Sequence, residues 1–435
     1  MGRDVVQVQG YVPHTPDDVW LTLRDFFGAW HPWVATIREE QGPKGARIRA
    51  FTVTGEDATY REQLTYFSDS DRVLGYTHLE GIRGCEAYDA RVTVTPAEGG
   101  GSHVGWTATV RAPAGRLGEI CEGTKAVFNA GIEALADAVA AHSHQPSPRK
   151  HEKVGVDADT LLETLVLDDL PRLALTVTPD LGDGRLCLFL HGIGGGRSNW
   201  VDQLRAVGGV MRAAALDLRG YGDSTLGARQ STVEDYCADI LRVAEQLGAK
   251  RLVLVGLSYG SWIATSFAMR HPDMLDGLVL SGGCTGMSEA GPDEREAFRV
   301  SREVPLNAGQ TPADFAPTVV KVLASPGAPE AIRQQLFESM AAIPTGTYRD
   351  ALLCFTNPLE RFDFARLTMP VLMMTGEHDR LAPPAEIRGV AGRIWDAAPR
   401  PDVRFEVIAG AGHVCNVEAP DDYNGPLLDL LERLP

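Results

Sequence analysis

The sequence predicts two domains of different fold class: an α+β domain followed by a larger α/β domain with a mostly parallel sheet. At 435 residues the chain is longer than one ordinary domain. A polar, proline-bearing stretch at 143–157 predicts a linker between a domain at 1–142 and a domain at 158–435. Strand-like segments before the linker end in one long helix. After it, short apolar runs alternate with helical segments, which is typical of parallel sheets.

Composition and charge limit the functions that the chain can have. Hydrophobic residues make up 44% and charged residues 23%, as in globular proteins, and the net charge is −17. Nucleic acids and anionic membranes attract basic surfaces, so neither is expected as a partner. The first residues contain no apolar core of a signal peptide, and the seven cysteines show no C-x-x-C spacing. We therefore expect a cytoplasmic protein with reduced thiols, no metal site and no cofactor.

The N-terminal domain is expected to begin with a strand at 3–12, where polar and apolar residues alternate. Thr15 is the predicted N-cap of the next helix, with Pro16 at its first position. The W-H-P-W segment at 30–33 is expected in a second short helix or a turn. The remaining predicted elements are strands at 46–54, 58–67, 72–79, 86–95 and 102–110 and a long helix at 115–141.

This order of elements, together with Asp25, Phe26 and the W-H-P-W segment, resembles the START/Bet v 1-like superfamily, also described as polyketide cyclase/dehydrase-like (SRPBCC). The resemblance covers about 1–142. It implies a helix-grip fold, in which a curved sheet holds the long helix around an apolar cavity, and hence a hydrophobic ligand as a partner. From the residues alone, most aromatic side chains of the domain are expected to pack its core. Arg61 and Glu62 are expected to form a solvated or edge pair.

The motif G-L-S-Y-G at 256–260 lies between an apolar segment at 251–255 and a helical segment at 261–270. A G-x-S-x-G motif between a strand and a helix is typical of a nucleophile elbow. Its turn is so tight that large side chains two residues either side of the serine would collide. The turn lifts the Ser258 hydroxyl clear of the sheet, and the helix N-terminus favours developing negative charge. Ser258 is therefore the candidate nucleophile.

Two further polar residues follow strands that come later in the chain. Asp379 lies in G-E-H-D after a predicted strand at 371–375, and His413 lies in G-A-G-H after one at 405–408. Ser258, Asp379 and His413 thus each follow the carboxyl end of a strand. This is the edge at which open parallel sheets place their sites.

The acidic role has two candidates, because Glu377 lies two residues before Asp379. Asp379 could also serve as an N-cap or turn residue in the D-R-L-A-P-P segment. Its place in the motif favours Asp379 for the acidic role. His378, between the two, is expected to be a turn residue.

A glycine-rich loop lies upstream of these motifs, where the predicted strand at 186–190 runs into H-G-I-G-G-G at 191–196. Glycines at such a turn let backbone N–H groups approach a substrate oxygen without obstruction. His191 is expected to form structural hydrogen bonds beneath this loop. Asp217 and Arg219 are expected to brace the loop after their own strand.

Four motifs in this order resemble the α/β-hydrolase fold family over 158–435: H-G-I-G-G-G, L-D-L-R-G-Y-G-D-S at 216–224, G-L-S-Y-G, and the G-E-H-D and G-A-G-H pair. The resemblance implies that Ser258 is the nucleophile and that His413 acts first as general base and then as acid. It implies that Asp379 orients the imidazole of His413.

The resemblance also implies an oxyanion hole formed by the backbone N–H groups of Ile193 and Tyr259, with Gly194 as the alternative to Ile193. A serine hydroxyl is a weak nucleophile at neutral pH, so a neutral imidazole must take its proton during attack. The two N–H donors would stabilise the tetrahedral oxyanion. The expected reaction is acyl transfer to Ser258 and then to water.

The region at about 285–360 is the usual insertion point of a lid in this family. A lid supplies much of the acyl pocket and excludes water during the reaction. The apolar side chains of this region suit an apolar substrate, although most of them must pack the lid onto the sheet. Helical segments are predicted in it at 293–303, 312–324, 328–342 and 347–355.

These observations predict a serine hydrolase that cleaves a carboxylic ester or lactone of a small apolar substrate, fused to a hydrophobic-ligand-binding domain. The tail at 412–420 resembles that of enol-lactonases. Two other reactions stay open within the fold: C–C bond hydrolysis of a vinylogous diketone, which H-G-x-G-x-G with Trp200 also resembles, and cofactor-free perhydrolysis. A hypothesis of another class is a ligand-binding or sensing protein whose hydrolase half is silent. Substrate and oligomeric state stay open.

Overall fold

The computed structural model describes residues 1–142, 161–357, 360–397 and 401–434, so the linker predicted at 143–157 lies outside the described residues. The described residues form two compact units. One lies within Met1–Lys150 and Pro399–Glu406, and the other within His151–Ala398 and Val407–Pro435.

The first unit combines an antiparallel sheet with two helices in its described part. The strand order in this sheet is β1-β7-β6-β5-β4-β3-β2, and each of these neighbouring pairs is antiparallel. The helix α2 packs against β1 and β7. In chain order the elements are β1 (Gly2–Val12), α1 (Pro16–Leu23), β2 (Val34–Gln41), β3 (Arg47–Val53), β4 (Thr59–Ser68), β5 (Val73–Glu80), β6 (Ala87–Pro96), β7 (Ser102–Ala112) and α2 (Ala114–His142).

Apolar side chains on one face of α2 attach the helix to the sheet. Phe128, Leu135 and Val139 are almost completely buried, and the Phe128 ring stacks on Trp106 of β7 with the ring centroids 4.5 Å apart. The Thr15 hydroxyl caps the shorter helix α1 by accepting a hydrogen bond from the N–H of Asp18 at 3.2 Å, as predicted. The sheet therefore holds the long helix as the resemblance implied.

One strand of this sheet, β2 at Val34–Gln41, was not expected from the sequence. Most of its residues are exposed and several are charged, so it lacks the apolar alternation of a half-buried strand. Among the described strands it lies at the end of the order and pairs with β3 alone, and the side chains of an edge strand can be exposed and charged. The preceding W-H-P-W segment ends in a turn.

The expectation that Arg61 and Glu62 form a solvated or edge pair is wrong. Successive side chains of a strand point to opposite faces of the sheet, so these two residues cannot share one environment. Arg61 is partly exposed and pairs with Glu40 at 2.7 Å. Glu62 is only 6% exposed and faces Arg49, its direct partner on β3.

The chain from 161 onwards forms the elements of an α/β domain. They are β8 (Glu163–Leu167), β9 (Leu173–Val177), β10 (Arg185–Leu190), α3 (Val201–Val207), β11 (Ala213–Leu216), α4 (Val233–Gln246), β12 (Arg251–Leu257), α5 (Tyr259–Arg270), β13 (Leu275–Ser281), α6 (Pro292–Asn307), α7 (Pro312–Leu323), α8 (Glu330–Ala341), α9 (Thr345–Thr356), β14 (Val371–Gly376), α10 (Pro384–Ala397), β15 (Val403–Ile408), α11 (Cys415–Glu418) and α12 (Pro420–Glu432).

The second unit has a parallel sheet in the order β14-β13-β12-β10-β11, to which β9 and β8 add antiparallel strands. Its central strands are apolar and buried on both faces, as parallel strands covered by helices must be. Their carboxyl ends lie at one edge of the sheet. The loops that carry the candidate site residues begin at this edge.

Along the chain, the division between the two units falls within the strand β15. Its residues Val403 and Arg404 pair in parallel with Tyr66 and Phe67 of β4, and 401–406 group with the first unit. The domain boundaries at 142 and 158 therefore stay a prediction.

Four helices, α6 to α9, connect β13 to β14 in the described part of the second unit, where the sequence predicts a lid. Their bounds lie within five residues of the predicted segments. No helix among the described residues is long and apolar enough to cross a membrane. All seven cysteines are free, and all but Cys85 are buried.

The loop after β11 is held by a buried ion pair, which yields a stability prediction. The guanidinium of Arg219 donates to both carboxylate oxygens of Asp239 on α4, at 2.8 and 2.9 Å, and both side chains are buried. Replacing Arg219 by Met should lower the free energy of unfolding by about 2–3 kcal/mol, because Asp239 would lose two charge-assisted hydrogen bonds and keep only the contact with Arg242 at 3.3 Å. Urea-induced unfolding measures the change.

A matched control is Arg229→Met, which removes an exposed arginine paired with Asp235 on the same helix. Exposed ion pairs contribute about 0–1 kcal/mol, so this variant should unfold close to wild type. Equal losses in the two variants would contradict the buried-pair assignment.

Candidate active site

Ser258 lies at the junction of β12 and α5 with φ 54° and ψ −112°, a left-handed region that residues other than glycine rarely occupy. The glycines on either side make this turn sterically feasible. A Cβ atom at Gly260 would lie 2.1 Å from the carbonyl oxygen of Leu190, and one at Gly256 would lie 2.4 Å from that of Gly260. Helix α5 can therefore begin directly after Ser258 only if both positions lack a side chain.

His413 and Asp379 form a buried hydrogen-bonded pair. The imidazole Nδ1 lies 2.8 Å from Asp379 Oδ2, while Asp379 Oδ1 accepts from the N–H groups of Leu381 at 2.8 Å and Ala382 at 2.9 Å. Burial alone would raise the pKa of Asp379, but its bonds to His413 and to the two backbone N–H groups bring this pKa below the ordinary value of an aspartate. The carboxylate is thus ionised at neutral pH and places the imidazole proton on Nδ1.

The other imidazole nitrogen of His413, Nε2, is buried and has no hydrogen-bond partner within the described ranges. The backbone after β13 contacts both His413 and Ser258. A Cβ atom at Gly282 would lie 3.0 Å from Cε1 of His413, and one at Gly283 would lie 3.4 Å from the Ser258 carbonyl oxygen. The fold therefore brings Ser258, His413 and Asp379 to one edge of the sheet.

Glu377, the competing carboxylate, is exposed and accepts a hydrogen bond from the N–H of Gly410 at 2.8 Å. It contacts the backbone of the loop that leads to His413 and makes no hydrogen bond to the imidazole. His378 is an exposed turn residue, as the sequence predicts.

The glycine-rich turn after β10 packs directly on Ser258. A Cβ atom at Gly192 would lie 3.3 Å from the Cβ of Ser258. The carbonyl oxygen of Gly192 accepts from the N–H of Gly195 at 3.0 Å and from His191 Nδ1 at 2.7 Å. In a trans peptide the N–H points away from the carbonyl, so the Ile193 N–H faces away from these donors.

His191 lies beneath this turn, as predicted. Its Nε2 accepts from the N–H of Leu218 at 3.1 Å, so Nδ1 carries the proton that is donated to the turn. Complete burial lowers the pKa of His191, against the opposing effects of Asp217 and Gly192, and keeps it neutral. The hydroxyl of Tyr221 donates to the Ile193 carbonyl at 3.1 Å and fixes the next peptide as well.

The N–H groups of Ile193 and Tyr259 are both available to an acceptor. Tyr259 is the first residue of α5, where helix N–H groups have no intrahelical partner. Neither N–H has a hydrogen-bond partner in the described part of the chain, and the same holds for Gly194. The arrangement can stabilise an anion at the N-terminus of α5.

Asp217 ties the glycine-rich loop to the loop after β11. One carboxylate oxygen accepts from the N–H of Arg197 at 2.8 Å, and the other accepts from the Arg197 guanidinium and from the N–H of Asp223. Together with the Arg219–Asp239 pair, these bonds confirm that Asp217 and Arg219 brace loops.

Helix α9 of the insertion is anchored to two loops of the α/β domain. The Thr347 hydroxyl donates to the carbonyl of Gly220 at 2.8 Å, and Asp350 accepts from the N–H of Ser231 at 2.9 Å. These polar anchors hold α9 in place over the carboxyl edge of the sheet. The apolar side of the insertion reaches the site through Met340, whose sulfur would lie 3.2 Å from a Cβ atom at Gly194.

The end of α7 is bonded to the loop that carries His413. The N–H of His413 donates to the Leu323 carbonyl at 2.8 Å, and Glu418 accepts from the N–H groups of Gly412 and Ser325, both at 3.0 Å. Glu418 thus connects the insertion to the histidine loop. Sequence reasoning missed this residue because its partners are backbone groups up to 93 positions away.

A second candidate site lies inside the first unit. An apolar cavity of about 590 Å³ opens between the sheet and α2, in agreement with the resemblance of this domain. Its wall includes the ion pair of Arg49 and Glu62, which the sequence analysis did not identify as a site. The sequence signal that could have identified this pair is the alternation of side chains along β4, which places Glu62 on the face of the sheet that lines the cavity.

The close contact at Gly260 gives a structural prediction. In Gly260→Ala the new methyl group would collide with the rigid backbone of Leu190, so the elbow must distort and the yield of folded protein should fall. The control is Gly389→Ala on α10, where a Cβ atom meets nothing within 4 Å and should stabilise the helix by about 0.5–1 kcal/mol. Thermal unfolding compares the two, and a Gly260→Ala variant as stable as wild type would contradict the elbow geometry.

Comparison with known proteins finds one matching family model in each unit. Residues 186–420 match the family model described as alpha/beta hydrolase fold. Residues 4–140 match the model described as polyketide cyclase/dehydrase and lipid transport.

The curated relatives cover the second unit. RutD of Enterobacter cloacae, provisionally named a carbamate hydrolase, is 28% identical over 271 residues, which span 60% of this chain and 97% of that protein. RutD of Escherichia coli O81, with the same provisional name, is 26% identical over 264 residues, or 59% of this chain and 94% of that protein.

Solved structures give the same assignment. A thermophilic esterase from Thermogutta terrifontis aligns with a TM-score of 0.53 and 25% identity, covering 63% of this chain and 98% of that one. The enol-lactonase from Burkholderia xenovorans aligns with a TM-score of 0.52 and 20% identity over 60% of this chain and 96% of that one, a likeness of fold alone. The homologues indicate a hydrolase, and since the first of the two family models matches more than half of the sequence, the chain belongs to the α/β hydrolase fold family.

Proposed function

We propose that the chain is a serine hydrolase that cleaves a carboxylic ester or lactone of a small apolar substrate. This proposal rests on the buried pair of Asp379 and His413. The Nε2 atom of His413 has no hydrogen-bond partner among the described residues, and the fold brings His413 to the same edge of the sheet as Ser258. Because Asp379 holds the imidazole proton on Nδ1, Nε2 bears a lone pair that can accept the proton of the serine hydroxyl.

In the proposed first step, Ser258 Oγ forms a bond to the substrate carbonyl carbon while its proton moves to Nε2 of His413. The carbonyl electron pair moves to oxygen and gives a tetrahedral oxyanion. The oxyanion collapses, the bond to the alcohol oxygen breaks, and Nε2 returns the proton to that oxygen. Water then attacks the acyl-enzyme by the same route in reverse, with His413 as base and then acid.

The proposed oxyanion hole consists of the backbone N–H groups of Ile193 and Tyr259. Two features support it: the turn at Gly192 packs on Ser258, and the peptide that carries the Ile193 N–H is held by bonds to its carbonyl. Fixed donors need no reorganisation as charge develops, and one such donor is often worth about 3–4 kcal/mol in the transition state. The N-terminus of α5 adds a favourable dipole.

The helical insertion supports an apolar substrate. Met340 and Leu323 lie nearest to the glycine-rich turn, and neither carries a charge. The anchors of α9 and α7 hold these side chains close to the site. A site closed by apolar side chains excludes water and favours apolar acyl groups.

The relatives support carbonyl chemistry but differ in substrate. The Thermogutta terrifontis protein is an esterase, and RutD is provisionally a carbamate hydrolase. Both compound classes present an acyl carbon to a nucleophile. We favour an ester or lactone, and a carbamate belongs in the same substrate panel.

For the first unit we propose the binding of a hydrophobic ligand. The cavity of about 590 Å³ is large enough for a small organic molecule, and its wall includes eight Phe, Trp and Tyr residues. The cavity lies wholly within the first unit. Its ligand need not be the substrate of the hydrolase.

Ser258→Ala should reduce kcat by of order 10³-fold or more on every compound that the wild-type enzyme turns over, because the substitution removes the attacking oxygen. The panel comprises p-nitrophenyl acetate, butyrate and octanoate, a δ-lactone, a p-nitrophenyl carbamate and a vinylogous diketone. The control is Ser266→Ala, which removes a buried hydroxyl without a partner from the same helix and should leave kcat within about twofold.

Ester or lactone turnover that depends on Ser258 is the expected result. Turnover of the diketone or the carbamate alone would replace the proposed substrate class while keeping the mechanism. A chain without activity on the whole panel would favour the ligand-binding hypothesis. Retention of a tenth of the wild-type kcat in Ser258→Ala would contradict the acyl-enzyme.

Asp379→Asn should lower kcat by at least about 100-fold, because an amide favours the wrong imidazole tautomer. Glu377→Gln, the matched exposed carboxylate, should change kcat by less than about threefold, since Glu377 bonds only to backbone. Steady-state kinetics on the best ester compares the two. A larger loss at Glu377 would transfer the acidic role to that residue.

A further inference from the structure

The cavity of the first unit has an aromatic wall and a polar end. It is enclosed by β3, β4, β5, β7 and α2, and its volume is about 590 Å³. Its aromatic wall residues include Phe26, Trp30, Phe51, Tyr60, Tyr76 and Trp106. Flat walls of this kind favour a flat, aromatic occupant.

The polar end is the ion pair of Arg49 and Glu62, which are direct partners on the adjacent strands β3 and β4. The guanidinium lies over the rings of Phe26, at 4.3 Å from the centroid, and Tyr76, at 4.9 Å. Its Nε and Nη2 atoms both contact the same carboxylate oxygen, Glu62 Oε2, at 2.8 and 2.6 Å. Its Nη1 donates to the carbonyl of Phe26 at 3.3 Å.

The second carboxylate oxygen of this pair, Glu62 Oε1, has no hydrogen-bond donor in the described part of the chain. Glu62 is only 6% exposed, yet it lines the cavity. A carboxylate oxygen of a largely buried side chain gains most from a hydrogen-bond donor that reaches it inside the cavity. Oε1 is therefore an acceptor that faces the cavity and that an occupant can satisfy.

Two other polar groups of the wall are already engaged. The Tyr76 oxygen accepts from Trp106 Nε1 at 3.0 Å, and His31 Nε2 donates to the carbonyl of Val127 at 3.0 Å.

Two further carboxylates, Glu56 and Glu119, line the cavity, but both residues are exposed and already accept from Tyr60 and Arg116. Among the described wall residues, Glu62 Oε1 is therefore the carboxylate acceptor that lies away from solvent.

We propose that the cavity binds a neutral aromatic molecule that carries a hydroxyl group, and that this hydroxyl donates to Glu62 Oε1. The inference rests on the proposed ligand-binding role of the first unit and names the chemistry of the ligand. A carboxylate ligand is disfavoured because it would meet the charge of Glu62. An ammonium ligand is disfavoured by the neighbouring guanidinium of Arg49, and an ether offers no donor.

The test compares three probes of the same ring system: 2-naphthol, 2-methoxynaphthalene and 2-naphthoate. Binding to the full-length protein is followed by ¹⁹F NMR after 5-fluorotryptophan labelling, using the Trp106 resonance assigned with a Trp106→Phe variant. Trp106 lines this cavity, so its resonance reports on this site and not on the hydrolase site. Wild type should bind 2-naphthol about tenfold more tightly than 2-methoxynaphthalene, and 2-naphthoate most weakly.

Glu62→Leu removes the acceptor and should bind 2-naphthol and 2-methoxynaphthalene equally. Glu62→Gln keeps an acceptor oxygen and nearly the same shape, so it should retain part of the preference for 2-naphthol. This variant keeps the test decisive if the leucine variant fails to fold. Ile37→Ala is the matched control: it shortens an apolar wall residue without a polar group. It should weaken both probes by the same factor and leave the preference intact.

Equal binding of 2-naphthol and 2-methoxynaphthalene to wild type would overturn the inference and leave the ligand-binding role standing. A preference that survives in Glu62→Leu would also overturn it, because another group would then hold the hydroxyl. No shift of the Trp106 resonance with any probe up to its solubility limit would contradict the ligand-binding role itself.

Discussion

The close packing of α5 against the end of β10 is the constraint on which the active site depends. Gly260 approaches the Leu190 carbonyl so closely that a Cβ atom would lie 2.1 Å from it. With this packing, Ser258 adopts a φ of 54° and lies directly before the first residue of the helix. The same approach brings the turn at Gly192 onto Ser258. Nucleophile, helix N-terminus and candidate oxyanion donors are thus positioned by one backbone contact.

The sequence predicted most of the hydrolase fold because its signals are local. The strand-turn-helix around G-L-S-Y-G and the glycine-rich turn after β10 each occupy about a dozen residues, and their geometry follows from the glycines. The choice between two neighbouring candidate residues was harder to make from the sequence. Asp379 and Glu377 lie two positions apart in the sequence. Only the structure shows that Asp379 bonds to His413 whereas Glu377 faces solvent. Glu418 was missed because its donors are backbone N–H groups, and one of them, that of Ser325, lies 93 positions away.

The errors in the N-terminal domain have a common physical origin. The strand β2 is charged and exposed because it lies at an edge, so it lacks the alternation by which strands are identified. Charged residues are rarely buried, and the sequence predicts a solvated or edge pair with Arg61 for Glu62. It is buried because Arg49 lies directly opposite on β3, a pairing set by strand register rather than by local sequence. A buried charge with an unsatisfied oxygen is the kind of local conflict that marks a binding site.

The central claim is that Ser258 is the residue that becomes acylated. The most direct measurement is peptide mapping by mass spectrometry after the full-length protein reacts with a fluorophosphonate, alongside the remaining esterase activity. The account predicts one phosphonyl group per chain, on the peptide that contains Ser258, with activity lost in proportion to labelling. Full activity after complete labelling of Ser258, or inactivation with the label on another residue, would contradict it.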